Sequence, residues 1–217
     1  MAMPVRKIKK NYRNVTGICA ATKAVGEAQF ESTLERDFLR LLEFSPEIAE
    51  FEVQPLTLTW ADDSGTERRY TPDVRVVFHE STGMKPWLCE VKYRSDLKEN
   101  WSVLYPKFRQ AIRYARKKGW RFRLITEKEI RGNTLEVAKF LLPFRRRNIP
   151  PDKAAHVLAL VGTLKHTTPE GLLQHISADP LVQAEWLPAI WKAVALFQVG
   201  ADFKSPLSMS SRLWSLS

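Results

Sequence analysis

Cysteine is scarce in this chain: among 217 residues only Cys19 and Cys89 carry a thiol. Two thiols at that separation make neither a disulfide framework nor the paired spacing of a zinc site, so a reducing compartment is expected. Long apolar runs are missing as well. No stretch approaches the ~20 residues that cross a bilayer, and the basic opening is not followed by the apolar segment of a signal peptide. The expectation is a cytoplasmic protein with no membrane partner. No internal repeat is visible. Acid is in deficit: 34 Lys and Arg face 24 Asp and Glu, a formal net charge of +10. That excess attracts polyanions, nucleic acid first among them. A 44% hydrophobic and 27% charged composition is otherwise that of a globular protein long enough for one or two domains with a proper core.

The acids that remain are placed suggestively. Tyr70-Thr71-Pro72-Asp73 leads into Val74–Phe78, and Leu88-Cys89-Glu90-Val91-Lys92 follows. Both read as neighbouring strands. Side chains alternate along a strand, so Glu90 and Lys92 share one face while Cys89 and Val91 share an apolar one. If the strands pair, Asp73 and Glu90 reach one divalent cation with Lys92 beside it. Mg²⁺ takes hard oxygen ligands and keeps several waters, so two carboxylates and a substrate phosphate suffice. Such a cation polarises a phosphoryl oxygen and acidifies a bound water, which is the chemistry of phosphodiester hydrolysis. The plain alternative is a surface Asp and an exposed Glu–Lys pair.

The rest of the chain supplies context. Residues 1–28 read as an extended arm in which Arg6, Lys7, Lys9, Lys10 and Arg13 stand together without an acid, suited either to tracking phosphates or to serving as a disordered solubilising tail. A first helix is expected over Phe30–Phe44, with Leu34, Phe38, Leu41 and Leu42 as its apolar stripe. Glu35 lies at the edge of that stripe, and Ser32 also makes it the acid of a capping box. Spacing leaves cap and catalysis both open for Glu35, and Glu31 is the other acid to consider. Ile48–Val53, Leu56–Trp60 and Glu67–Tyr70 read as further strands, with turns at Asp62–Gly65 and around Ser81–Gly83. From about Leu97 to Lys118 a helix is expected, with Pro106 in its first main turn and Phe108, Ile112 and Ala115 inward. Gln110 and Tyr114 share one of its faces. Arg109, Arg113 and Arg116 make the remainder basic, a surface for phosphate. Trp120–Ile125 reads as a strand that alternates apolar residues with arginine, and Leu135–Leu142 as a short helix closing a unit over 29–144. Pro143–Pro151 reads as a linker. Residues 149–217 then read as a small, mainly helical domain of three helices and a ribbon, winged-helix-like; its histidines, His156, His166 and His175, lack ligand spacing.

Asn11–Gly17, Glu31–Phe38, Gln54-Pro55, Tyr70–Asp73 and Glu90-Val91-Lys92 together resemble the TnsA-type endonuclease subunit of heteromeric transposases, over about residues 1–130. The resemblance implies an α/β, restriction-endonuclease-like fold, a mixed β-sheet flanked by helices, with a PD-(D/E)xK site. In it Asp73, Glu90 and the Val91 carbonyl would hold Mg²⁺, with Mn²⁺ able to substitute. Lys92 would be the motif lysine, and Glu35 an additional acid and further candidate ligand. Some family members carry Gln at the position of Glu90; the glutamate here is a full anionic ligand. Gln110 and Tyr114 are similar to the QxxxY feature of RecB-like nucleases, which implies substrate positioning.

The implied role is cleavage of double-stranded DNA at the 5′ transposon ends, while a DDE-type transposase subunit cuts and joins the 3′ ends and an AAA+ regulator contacts the C-terminal domain. The protein would act at the nucleoid of a prokaryotic cell. Two rival expectations stand beside it: a catalytically silent DNA-binding assembly subunit, and a stand-alone repair or restriction nuclease of the same fold.

Overall fold

The computed structural model describes residues 15–216. The basic residues Arg6, Lys7, Lys9, Lys10 and Arg13 lie outside them. Two compact units divide between Ile130 and Arg131.

The first unit opens with a two-residue ladder, β1 (Gly17–Ile18) against β2 (Gln29–Phe30). Residues 15–28, expected within an extended arm, are therefore docked. The Glu43 carboxylate holds them, accepting from Thr22 N (3.0 Å), Lys23 N (3.1 Å) and the Thr22 hydroxyl (2.7 Å), and Ala28 is buried. α1 spans Thr33–Phe44, shorter than expected because Phe30 belongs to β2. Ser32 caps its start. It ends at Ser45, the residue before Pro46, where the α region is sterically disfavoured. Its buried stripe is Leu34, Phe38, Leu39 and Leu42; Leu41, expected inward, is half-buried.

β3 (Ile48–Val53), β6 (Val74–Phe78), β7 (Trp87–Val91) and β8 (Arg121–Ile125) form the central sheet in the order β3-β6-β7-β8. β4 (Leu58–Ala61) and β5 (Glu67–Tyr70) make a separate hairpin between β3 and β6. The sheet is mixed: β3/β6 and β6/β7 are antiparallel, β7/β8 parallel. A parallel pair needs a long crossover, which α2 (Arg94–Lys117) provides before Gly119, at φ +76°, turns the chain into β8. Leu88 packs with Phe108, Ala111 and Ala115 of α2. Alternation gives Cys89 and Val91, both buried, to the opposite face, where α1 contacts β7. α2 breaks at Asn100 (φ −114°, ψ 18°) rather than at Pro106, which sits inside its second segment. Its buried stripe is Phe108, Ala111 and Ala115, so Ile112, expected inward, stays 40% exposed. α3 (Glu127–Ile130) ends the unit.

The second unit holds α4 (Asn133–Arg145), α5 (Pro151–Leu164), β9 (His166–Thr167), α6 (Pro169–Ile176), α7 (Pro180–Ala195), β10 (Val199–Ala201) and β11 (Leu213–Ser215). The expected linker begins inside α4, which packs on α7, and Arg145 Nε donates to Ala195 O at 2.8 Å. α4 thus belongs with this unit instead of closing the first. Proline does not mark a break here: Pro151, Pro169 and Pro180 each start a helix, where the missing N–H has no acceptor to lose, and Pro143 lies inside the last turn of α4. Val157, Val161, Leu172, Leu173, Ile190, Val194 and Leu213 are buried. The ribbon has a third strand that alternation in the sequence did not reveal, giving the order β10-β11-β9. Gly200 faces Trp214 in that ladder, where a Cβ would meet the indole at 2.1 Å.

Candidate active site

Pairing of β6 with β7 sets the site. Val74 lies opposite Cys89, so Asp73, just before β6, donates its N–H to Cys89 O (3.0 Å) at the edge of the ladder. The Asp73 carboxylate turns back along β7 and accepts from Val91 N at 2.7 Å. Glu90 is 4% exposed, on the face of β7 that also carries Lys92. The Lys92 ammonium bridges the two acids, 3.0 Å from Glu90 Oε1 and 3.7 Å from Asp73 Oδ2, and donates to Val91 O at 3.2 Å. Asp73, Glu90 and Lys92 are brought together as the spacing predicted.

Tyr70 completes the arrangement, and sequence reasoning gave it no role. Its hydroxyl donates to Glu90 Oε2 at 2.7 Å, and its ring packs edge-on to Phe108. The signal was present: an aromatic ending β5 is buried, and a buried tyrosine hydroxyl needs a partner. Gln54, of the Gln54-Pro55 pair, also serves the site. It holds a left-handed φ of +48°, uncommon for a non-glycine residue. Its N–H donates to Asp73 O (2.8 Å), and its side-chain amide to Glu31 Oε1 (3.2 Å). Nothing in the local sequence marks that conformation.

Glu35 forms the capping box. Its carboxylate accepts from Glu31 N (2.8 Å) and the Ser32 hydroxyl (2.9 Å), while its own N–H donates to Ser32 Oγ (3.1 Å). It makes no hydrogen bond to Asp73, Glu90 or Lys92, although their charges reach one another. Tyr114 packs edge-on to Trp120 with the Lys118 ammonium over its ring, and Gln110 is half-buried. Neither is hydrogen-bonded to the acids. Arg109, Arg113 and Arg116 are exposed along α2.

Electrostatics follows from this crowding. Burial pushes the Asp73 carboxyl up, the Glu90 and Glu35 charges push further, and Lys92 opposes them; the result is about 8. Burial alone would lower Lys92, but the Asp73 and Glu90 carboxylates outweigh it and hold the ammonium above its ordinary range. Burial raises Glu35 against the hydrogen bonds from Glu31 and Ser32 that pull it down. Burial and the adjacent Glu90 raise the Tyr70 phenol far above its usual value, so it remains a donor.

Residues 45–127 match the family model described as TnsA-like endonuclease N terminal. This stretch is a TnsA-like endonuclease domain. Asp73, Glu90, Lys92, Gln110 and Tyr114 fall within it; Glu35 lies before it. The mixed sheet between α1 and α2 is consistent with the expected restriction-endonuclease-like fold. No curated protein matches the chain. Among the described residues, no cluster of three or more His, Cys, Asp or Glu side chains is set to hold a metal. The endonuclease domain instead offers two carboxylates and a carbonyl. Asp73 Oδ2, Glu90 Oε1 and Val91 O converge on one positive centre, the Lys92 ammonium. Hard oxygens gathered round a cation suit Mg²⁺.

Proposed function

We propose that this chain is the metal-dependent endonuclease subunit of a heteromeric cut-and-paste transposase, hydrolysing phosphodiester bonds at the 5′ ends of the transposon. The observation that carries this reading is the convergence of Asp73, Glu90 and the Val91 carbonyl on one cationic point inside a TnsA-like endonuclease domain. Those three groups would hold Mg²⁺, or Mn²⁺ in its place. When bound, the cation would polarise the phosphoryl oxygen and acidify a water. Tyr70 keeps Glu90 aimed inward. Lys92 carries the charge that orients water or meets the charge building on phosphate. Glu35, whose carboxyl burial raises above its ordinary value, is the additional acid. Gln110 and Tyr114 would position substrate, and Arg109, Arg113 and Arg116 would lie along the DNA backbone with Arg6, Lys7, Lys9, Lys10 and Arg13.

The second unit runs helix, strand, helix, helix, strand, strand from α5 onward, an order that supports a winged-helix-like reading. α7, the third helix of that order, carries Lys192 as its only basic residue and leaves Leu181 79% exposed. That surface favours a protein partner over phosphate, in keeping with an AAA+ regulator. The DDE-type transposase subunit and double-stranded transposon ends complete the proposed assembly, acting at the nucleoid.

The test is a strand-cleavage assay on transposon-end DNA with the partner transposase present. Asp73→Ala abolishes cleavage while circular dichroism stays unchanged; nicking at the normal rate would defeat the reading. One observation favours a second reading, a catalytically silent assembly subunit: Lys92 already neutralises the acids that a metal would need. Calorimetric Mn²⁺ titration separates the two, since a silent subunit shows no binding.

A further inference from the structure

The open edge of the central sheet has structure suited to a partner. The order β3-β6-β7-β8 ends at β8. Arg121 N donates to Pro86 O (2.9 Å), and Ile125 O accepts from Lys92 N (3.0 Å). In a parallel pair alternate residues bond to the neighbour. Arg121, Arg123 and Ile125 therefore face β7, and the N–H and C=O groups of Phe122 and Leu124 point outward. Among the described residues nothing pairs with them.

Beside that edge runs a groove of about 380 Å³ lined by Trp101, Tyr105, Phe108, Ile112, Phe122 and Leu124, with Arg123 at its margin. Phe108 is buried, but Trp101 (46%), Tyr105 (45%) and Ile112 (40%) are exposed, with the Trp101 and Tyr105 rings stacked at 5.5 Å. Large apolar side chains grouped on an otherwise basic helix mark an interaction surface. On the other face of β8, Arg121 and Arg123 are exposed and make no ion pair among the described residues; the Arg123 guanidinium rests over Trp87 at 5.1 Å.

We infer that the β8 edge and its groove bind an extended segment of a partner protein in which apolar side chains alternate with acidic ones. An added strand sits about 4.8 Å from β8 and sends alternate side chains to opposite faces. One set enters the groove; the other meets Arg121 and Arg123. The same arginines disfavour a second copy of this edge, because like charges would face each other across the pair. A nucleic-acid strand could stack on Trp101 and Tyr105 but could not satisfy the outward N–H and C=O groups of both Phe122 and Leu124 as a peptide main chain does.

The experiment titrates the full chain with a short acetylated, amidated peptide alternating leucine and glutamate. Amide hydrogen exchange at Phe122 and Leu124 reports edge pairing, and tryptophan fluorescence reports the groove. The expected result is protection of both amides, with affinity about tenfold weaker in Ile112→Glu and in Arg123→Glu. Both changes fall at exposed positions outside the cleavage site. Unchanged exchange at saturating peptide, equal binding of a peptide with lysine in place of glutamate, or preferential protection by single-stranded oligothymidylate would each overturn the inference.

Discussion

Replacing Lys92 by methionine separates the lysine's place in the metal-free site from any part in cleavage. The ammonium lies 3.0 Å from Glu90 Oε1 and 3.7 Å from Asp73 Oδ2. At an effective dielectric of about 20, each such contact is worth about 5 kcal/mol before solvation is counted. Desolvation and the 31% exposure of the Lys92 side chain reduce the net loss to about 1–3 kcal/mol. Lys92→Met should therefore lower metal-free stability by that amount in urea unfolding. A cation occupying the same point replaces the missing charge, so the loss should largely vanish in excess Mn²⁺. By linkage the variant should then bind Mn²⁺ about 5- to 150-fold more tightly than the natural chain, measured by calorimetry. Binding as weak as in the natural chain, or weaker, would show that Lys92 and the metal do not compete, and the assignment of Asp73, Glu90 and Val91 as one ligand set would fail.

Tyr70→Phe keeps the ring against Phe108 but leaves Glu90 Oε2 buried without its donor. It should cost about 1.5–3 kcal/mol in urea unfolding, and a change below about 0.5 kcal/mol would mean that the hydroxyl does not anchor Glu90. Asp73 in the metal-free protein binds its proton more tightly folded than unfolded, so its contribution is full below its unfolded value and is lost as pH rises toward about 8. Relative to Asp73→Asn, the natural chain should thus lose stability between about pH 4 and 8, by at most about 1.4 kcal/mol per pH unit; a rising difference in chelated buffer would reverse the sign and refute the crowding argument. Ser32→Ala removes the acceptor of Glu35 N and a donor to its carboxylate, at about 1 kcal/mol. Cleavage should fall with it, and unchanged cleavage would assign Glu35 to the cap alone.

How much was legible varies with the range of the forces involved. Strand alternation is local, so the boundaries of β3 and β6 and the shared face of Glu90 and Lys92 were readable from the chain. The Ser32–Glu35 cap, spanning one turn, was readable too. Helix faces were less so. Ile112 and Ala111 are adjacent, and only the packing of α2 against Leu88 of the sheet decides which turns inward. Proline was ambiguous because its missing N–H costs nothing at a helix start, where no acceptor is available.

The chain by itself determined the chemistry on offer: paired acids and a lysine at fixed spacing, an excess of positive charge, and apolar periods that build a sheet with covering helices. Tertiary structure alone decided which groups meet. Tyr70 and Glu90 are twenty residues apart, and their hydrogen bond exists only because the β4–β5 hairpin returns over β7. The left-handed backbone at Gln54, the burial that raises Asp73 and the place of β8 at the end of the sheet likewise depend on what folding excludes from water, which no local spacing encodes.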